Sequence, residues 1–380
     1  MHPESRDIEI IEQMFYNCIV IVHDEPVRGD AQMKTDDWNV AERMKKANIP
    51  GLSVAFIDHG RLSFQGHWGK LAVGDEEKVQ SDTLFNACSI SKFAAAMLAL
   101  VLVEDGTLEL DENVSDRLLA WGIPEHSEYD YMGITLRRLL SHQAGFADPE
   151  GSYGKYSREH GIPSMGELLR GKTDYSQEPA SLVAEPGTRF VYTDTGYCII
   201  QGLIEDATGK PFAKVMQDKI FVPLHMNHSR IVASDLDICP GSAAGHNKHG
   251  ERLLTPYTVY PFPAAAGLWS TPSDLAFLLM ELLDSLHGKG KLGISDRMAA
   301  EMITSQGCFQ WTGLGVFLDT VNDRLEFSSL GWGMGYQCML IAYPDTGKGA
   351  VLMMNADPGV HQNQSLLGQL ADLWRHEQFG

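Results

Sequence analysis

Positive charge is scarce in this 380-residue chain: thirty Lys and Arg face fifty Asp and Glu, a formal charge of −20. That balance repels polyphosphate and anionic lipid, so neither nucleic acid nor a membrane surface is an expected partner. Long apolar runs are missing as well, and none approaches the ~20 residues of a membrane span. The first residues, Met1-His2-Pro3-Glu4-Ser5-Arg6-Asp7, carry acids where a secretory leader would be basic, and the nearest apolar run, Cys18 to Val22, is short. Cysteine is sparse: Cys18, Cys88, Cys198, Cys239, Cys308 and Cys338 fall without CxxC or metal-site spacing. Reduced thiols and a cytoplasmic setting are the expectation.

Several chemistries lack their signatures. There is no phosphate-cradling P-loop, no dinucleotide fingerprint in a strand–helix context and no Gly-x-Ser-x-Gly nucleophile elbow. His225-x-x-His228 and His246-x-x-His249 have ligand spacing, but neither sits beside a carboxylate or Cys in a zinc pattern. No metal and no cofactor are expected. What remains, 44% hydrophobic and 21% charged residues without repeats or low-complexity tracts, is a soluble globular composition. The length implies two domains or one elaborated one.

Against these absences stands Ser89-Ile90-Ser91-Lys92, followed by the apolar run Phe93 to Val103. The run has no Gly or Pro, which predicts a buried helix over 90–104. Ser89 then lies in its first turn, where orphan N–H groups favour an oxyanion, and Lys92 shares its face. Among apolar neighbours the Lys92 amine is expected to lose its charge readily and serve as a base for the Ser89 hydroxyl. A second copy, Ser152-Tyr153-Gly154-Lys155, has no apolar helix behind it and reads as a solvated loop. Cys88 reads as a small core residue.

Elsewhere, Gly51–Asp58 and Arg61–Trp68 form a hairpin pattern through His59-Gly60, and Arg324–Leu330, Tyr336–Tyr343 and Ala350–Asn355 form an antiparallel meander. Helical patterns cover 135–141, 197–207, 211–219, 272–284 and 362–377, while 143–163 and 236–263 read as surface loops. The expected fold is α+β: an antiparallel sheet of about five strands from residues 1–82 and 286–380, flanked by helices, with a mainly helical domain at 83–285 inserted and the active site in the cleft between them. A Ser–Lys pair also needs a proton shuttle, and Tyr192, in Tyr192-Thr193-Asp194 immediately before a helix, is the candidate. Tyr343-Pro344-Asp345 reads as the turn leaving a strand.

With these motifs in view, the chain resembles the serine β-lactamase and penicillin-binding-protein family, particularly its class C-like esterase and D-peptidase branch. The resemblance runs in order through residues 48–356, by way of Ile49–Ala55, Asp82–Lys92, Asp105–Asp111, Ile134–Phe146, Glu185-Pro186-Gly187, Tyr192 and Ala266–Leu275. It implies that Ser89 attacks a carbonyl, that Lys92 and Tyr192 share the base and acid roles, and that the backbone N–H groups of Ser89 and Trp332 form the oxyanion hole. It implies a structural role for His142. Two positions depart from the pattern. Asp194 stands where the family usually has Asn, either pairing with Lys92 and holding it charged or receiving a cationic or amine-bearing substrate. Ser329-Leu330-Gly331 stands where the family has Lys or His, any residue, then Gly; no Lys-Thr-Gly occurs anywhere, and His67-Trp68-Gly69 precedes the nucleophile. Without that cation, capture of a carboxylate-bearing β-lactam is disfavoured. The expected activity is therefore ester hydrolysis through an acyl-enzyme, with thioesters or acyl transfer as variants. The alternatives are a peptidase or amidase for D-amino-acid or amine-bearing substrates, then a β-lactamase, then a non-catalytic binding module. Trp332, Trp269 and Tyr336 are candidates for an apolar substrate wall or, equally, for the core.

Overall fold

The computed structural model describes residues 38–119, 121, 129 and 131–380. The first residues, with the short apolar run from Cys18 to Val22, lie outside the described residues. Strand β1 (Gly51–Asp58) is apolar and buried along nearly all its length, as a central strand must be. It turns through His59 and Gly60, both left-handed (φ 47° and 69°), into β2 (Arg61–Gly69), whose alternating exposure marks an outer position.

Two short strands, β3 (Phe85–Asn86) and β4 (Arg230–Ile231), flank β5 (Leu268–Ser270) in a small second sheet. The main sheet then resumes with β6 (Phe317–Val321), β7 (Arg324–Gly333), β8 (Tyr336–Tyr343) and β9 (Lys348–Met354). Its order is β2-β1-β9-β8-β7-β6 and its pairings are antiparallel, so strands from both ends of the chain meet where β1 pairs with β9. Six strands stand where about five were expected. The extra one, β6, joins β7 through Asn322 and Asp323, both at positive φ, the backbone of a two-residue hairpin.

Helix α1 (Ile90–Glu104) is buried from Ile90 to Leu102 and stops at Asp105, just before Gly106 with φ 77°. Helix α2 (Asp194–Thr208) runs from a Thr193 cap to a left-handed Gly209. Helix α3 (Pro272–Ser285) starts on a Thr271 cap with Pro at its first position, and α4 (Leu366–Phe379) closes the chain. One sheet face, through Ala55, Phe327, Leu340 and Val351, shares a core with α1, α2 and α3. The opposite face, through Phe56, Met339 and Leu352, packs on Leu367 and Trp374 of α4. No helix among the described residues is long and apolar enough to cross a membrane.

The surface-loop reading of 236–263 needs correction. Residues 242–246 are buried, and their N–H groups are satisfied inside the protein: Ala243 donates to Leu84 O (2.9 Å), Ala244 to Leu71 O (2.9 Å) and Gly245 to Pro256 O (2.7 Å). Residues 143–146 are likewise buried, whereas the rest of 143–163 is largely at the surface.

Candidate active site

Ser89 is delivered by a tight reversal between β3 and α1. Asn86 Oδ1 accepts the Cys88 N–H (2.8 Å) and Asn86 Nδ2 donates to Thr258 O (2.8 Å), so Cys88 is held at φ 49°, a left-handed conformation unusual for a residue with a Cβ. Ser91 Oγ donates to Cys88 O (2.6 Å) and accepts from Leu268 N (2.9 Å), locking the turn to β5. The Ser89 side chain makes no capping bond and is partly exposed, so its hydroxyl is not consumed by the helix. Ser152 has no such frame: the nearby Lys155 is exposed and reaches Thr255 instead.

Lys92 is buried, and its Nζ donates to Ser89 Oγ (3.1 Å), Asp194 Oδ1 (2.6 Å) and Ala265 O (3.1 Å). It also sits 4.9 Å from the Tyr192 ring centre. The expectation of a readily neutral amine is overturned. Burial does pull its pKa down, but the charge of Asp194 and the hydrogen bonds to Asp194 and Tyr192 outweigh it and hold the ammonium well above its usual range. Asp194 therefore pairs with Lys92, one of the two roles open to it from sequence.

Around this pair the supporting groups are spoken for. Tyr197 also faces Lys92, at 5.7 Å, but its hydroxyl donates to Leu140 O (3.2 Å) and burial pushes its pKa up. His142 packs against the Tyr192 ring at 4.4 Å and accepts the Thr193 N–H on Nδ1 (3.3 Å); burial, then the Lys92 charge, keep it neutral. Asp148 was not singled out from sequence. Its carboxylate binds the start of α2, accepting from Thr195 N (2.8 Å), Thr195 Oγ1 (2.8 Å), Asp194 N (3.0 Å) and the Thr193 hydroxyl.

The third segment is β7. It pairs with β6 only as far as Ser328, so Ser329–Gly333 presents an edge without a strand on that side among the described residues. A Cβ on Gly331 would lie 2.3 Å from Ala87 O, and one on Gly333 2.9 Å from Cys88 Sγ. Only glycine lets this strand lie so close to the nucleophile turn. Ser329 and Leu330 line a cavity of about 20 Å³ with Ser89, Lys92 and Tyr192, room for about one water molecule. The aromatics do not form a substrate wall. Trp269 and Tyr336 are fully buried against each other (5.5 Å), and the Trp332 indole turns to Asp357 Oδ1 (2.8 Å). Phe317 and Val316 take the place beside the cavity, with Phe317 6.3 Å from Tyr192.

Among the described residues no three His, Cys, Asp or Glu side chains are grouped to hold a metal ion. His246 spends both ring nitrogens on backbone, Nδ1 on Asn355 O (2.8 Å) and Nε2 on Val73 N (3.1 Å).

An antiparallel sheet whose open edge abuts a serine at the start of a buried helix is the framework of the α+β serine hydrolases. The chain belongs to the Beta-lactamase family, whose model matches residues 37–373. It is similar to Penicillin-binding protein 4* of Bacillus subtilis (strain 168), with 25% identity over 83% of this chain and 70% of that protein. It is also similar to a putative D-alanyl-D-alanine carboxypeptidase of Escherichia coli O157:H7, with 21% identity over 79% of this chain and 77% of that one. In structure it resembles the octameric penicillin-binding protein homologue from Pyrococcus abyssi, with a TM-score of 0.69 and 22% identity over 89% of this chain and 76% of that chain.

Proposed function

We propose that the protein hydrolyses uncharged esters of apolar acyl groups through an acyl-enzyme on Ser89. The observation that carries this reading is the contact of Lys92 Nζ with both Ser89 Oγ and Asp194 Oδ1, at the foot of a cavity whose apolar side chains include Val316 and Phe317. Ser89 Oγ forms a bond to the carbonyl carbon while its proton passes to Tyr192, which must enter this step as a phenolate beside the Lys92 ammonium. Collapse of the tetrahedral intermediate breaks the ester C–O bond, and Tyr192 returns the proton to the departing alcohol. Water repeats the sequence to free the acid. Lys92 stays an ammonium throughout and stabilises negative charge on both oxygens. The N–H groups of Ser89 and Trp332 receive the oxyanion, each worth about 3 kcal/mol to the transition state. Among the described residues five free cysteines, from Cys88 to Cys338, support a cytoplasmic setting.

The neutral Ser329 argues against substrates that need a cation for a carboxylate, β-lactams among them. A second reading, hydrolysis of D-aminoacyl amides, draws support from the name of the Escherichia coli relative. It fits amides lacking a terminal carboxylate, since Ser329 offers no cation, and Asp194, already engaged by Lys92, is not available to receive an amine. Mass spectrometry of the intact protein against aryl esters, thioesters, D-aminoacyl amides and a β-lactam, with Ser89→Ala as control, tests both. An acyl adduct from the esters that disappears in Ser89→Ala is expected; an adduct from the amides alone would select the second reading. If neither esters nor a fluorophosphonate modify Ser89, the protein is not a hydrolase of this kind.

A further inference from the structure

Two functional side chains, Tyr192 and Asp194, flank Thr193 at the entry to α2, and nothing covalent fixes their direction. What fixes it is a carboxylate from another part of the chain. Asp148 Oδ1 takes the Thr195 N–H, the Thr195 hydroxyl (both 2.8 Å) and the Thr193 hydroxyl, while Oδ2 takes the Asp194 N–H (3.0 Å). All four are donors, so the post requires a group that only accepts. We propose that Asp148 is a positioning residue for acyl transfer: as a carboxylate it holds the first turn of α2 so that Tyr192 and Asp194 face Lys92, and when protonated it releases them. This rests on the reading of Ser89, Lys92 and Tyr192 as the reacting groups.

An amide shows why the charge matters. Asn at this position keeps the size but must aim its NH₂ either at the Asp194 N–H or at the Thr195 and Thr193 donors, so one side always meets donor with donor. The titratable neighbours of Asp148 are few. Asp194 raises its proton affinity; Tyr153, whose hydroxyl meets Thr195 Oγ1 (2.8 Å), and Cys198 on the next turn are both pushed upward by burial and remain neutral. His142 lies beyond Thr193 and is kept neutral, and Lys92 reaches Asp148 only by way of Asp194. Asp148 is exposed as a residue, yet its carboxylate is turned inward, where burial and then Asp194 push its pKa up while the accepted bonds pull it down. Solvent access moderates that rise.

The test is the pH profile of Ser89 acylation by a nitrophenyl ester, followed as the burst of nitrophenol, in wild type, Asp148→Asn and Thr193→Val, with thermal melts to confirm folding. Asp148→Asn is expected to slow acylation about ten- to a hundredfold, with KM changed less than about twofold, and to remove the acid limb. Thr193→Val deletes one donor to the anion, so it is expected to move the acid limb to higher pH; loss of packing alone would not shift the two variants in opposite directions. It also decides the matter if Asp148→Asn does not fold. A folded Asp148→Asn with wild-type rate and acid limb, or a Thr193→Val limb that stays or moves down, overturns the proposal. Absence of a Ser89 adduct in wild type overturns the functional reading, and this proposal with it.

Discussion

Lys92 and Asp194 meet at 2.6 Å, and that contact keeps charged an amine that burial alone would have driven towards neutrality. The pair divides the possible mechanisms by whether Lys92 gives or takes a proton.

Asp194→Asn keeps the side chain's shape and leaves burial as the dominant influence on Lys92, so the amine binds its proton less tightly. The alkaline limb of acylation is expected to move to lower pH, with a stability loss of about 1–3 kcal/mol for the uncompensated ammonium. Burst kinetics across pH measure the first and denaturant melts the second. Faster acylation at neutral pH would show that Lys92 works as a neutral base.

Gly331→Ala puts a methyl group where Ala87 O already stands, 2.3 Å away. The strand must retreat from the nucleophile turn. Displacing one oxyanion donor costs roughly a hundredfold in kcat, whereas overpacking costs about 1–3 kcal/mol of stability. Single-turnover rates and melts separate the two, and a stable variant with an intact rate would remove β7 from the catalytic framework.

Ser329→Lys restores a cation at the cavity wall. The ratio of kcat/KM for a carboxylate-bearing ester to that for its neutral analogue is expected to rise about tenfold, just under the ~1.5–3 kcal/mol of a charge-assisted bond. The neighbouring Lys92 ammonium limits the gain. An unchanged ratio would mean that Ser329 does not set the preference for uncharged substrates.

Burial depresses the pKa of His67, His142, His246 and His361, the first of these at a half-exposed position. Because the folded-state values lie below the unfolded one of about 6.5, the unfolded chain takes up more protons as pH falls. Stability is therefore complete above that value and lost below it. Melting temperatures are expected to drop between about pH 7 and 5, and His246→Gln to flatten part of the slope, since protonating Nε2 breaks the bond from Val73 N. A flat wild-type profile would contradict this.

Much of the framework was legible because local chemistry and global packing agree. The run after Ser89 has no breaker and is closed by Asp105-Gly106, so the expected and observed helices coincide at 90–104. His59-Gly60 announces its hairpin in the same way. Strand β6 escaped notice because it is short and only partly buried, although Asn322-Asp323 was a usable turn signal. Sequence could not choose between wall and core for the aromatics, because residue type does not say which face a side chain takes: period-two alternation sets Trp332 with Leu330, away from the Gly331 approach to Ala87. The charge of Lys92 was one of two outcomes open from sequence and turns on where another helix places the Asp194 carboxylate. The role of Asp148 had no local signal, because its partners are mostly main-chain and hydroxyl donors that any sequence contains.

The pairing of β1 with β9 sets the order of events on the ribosome. The early hairpin emerges with one flank bare and waits for most of the polypeptide to be translated before its neighbour arrives, a long interval in which a sticky, half-finished ribbon is open to the wrong company. Biogenesis of this protein is thus a problem of timing.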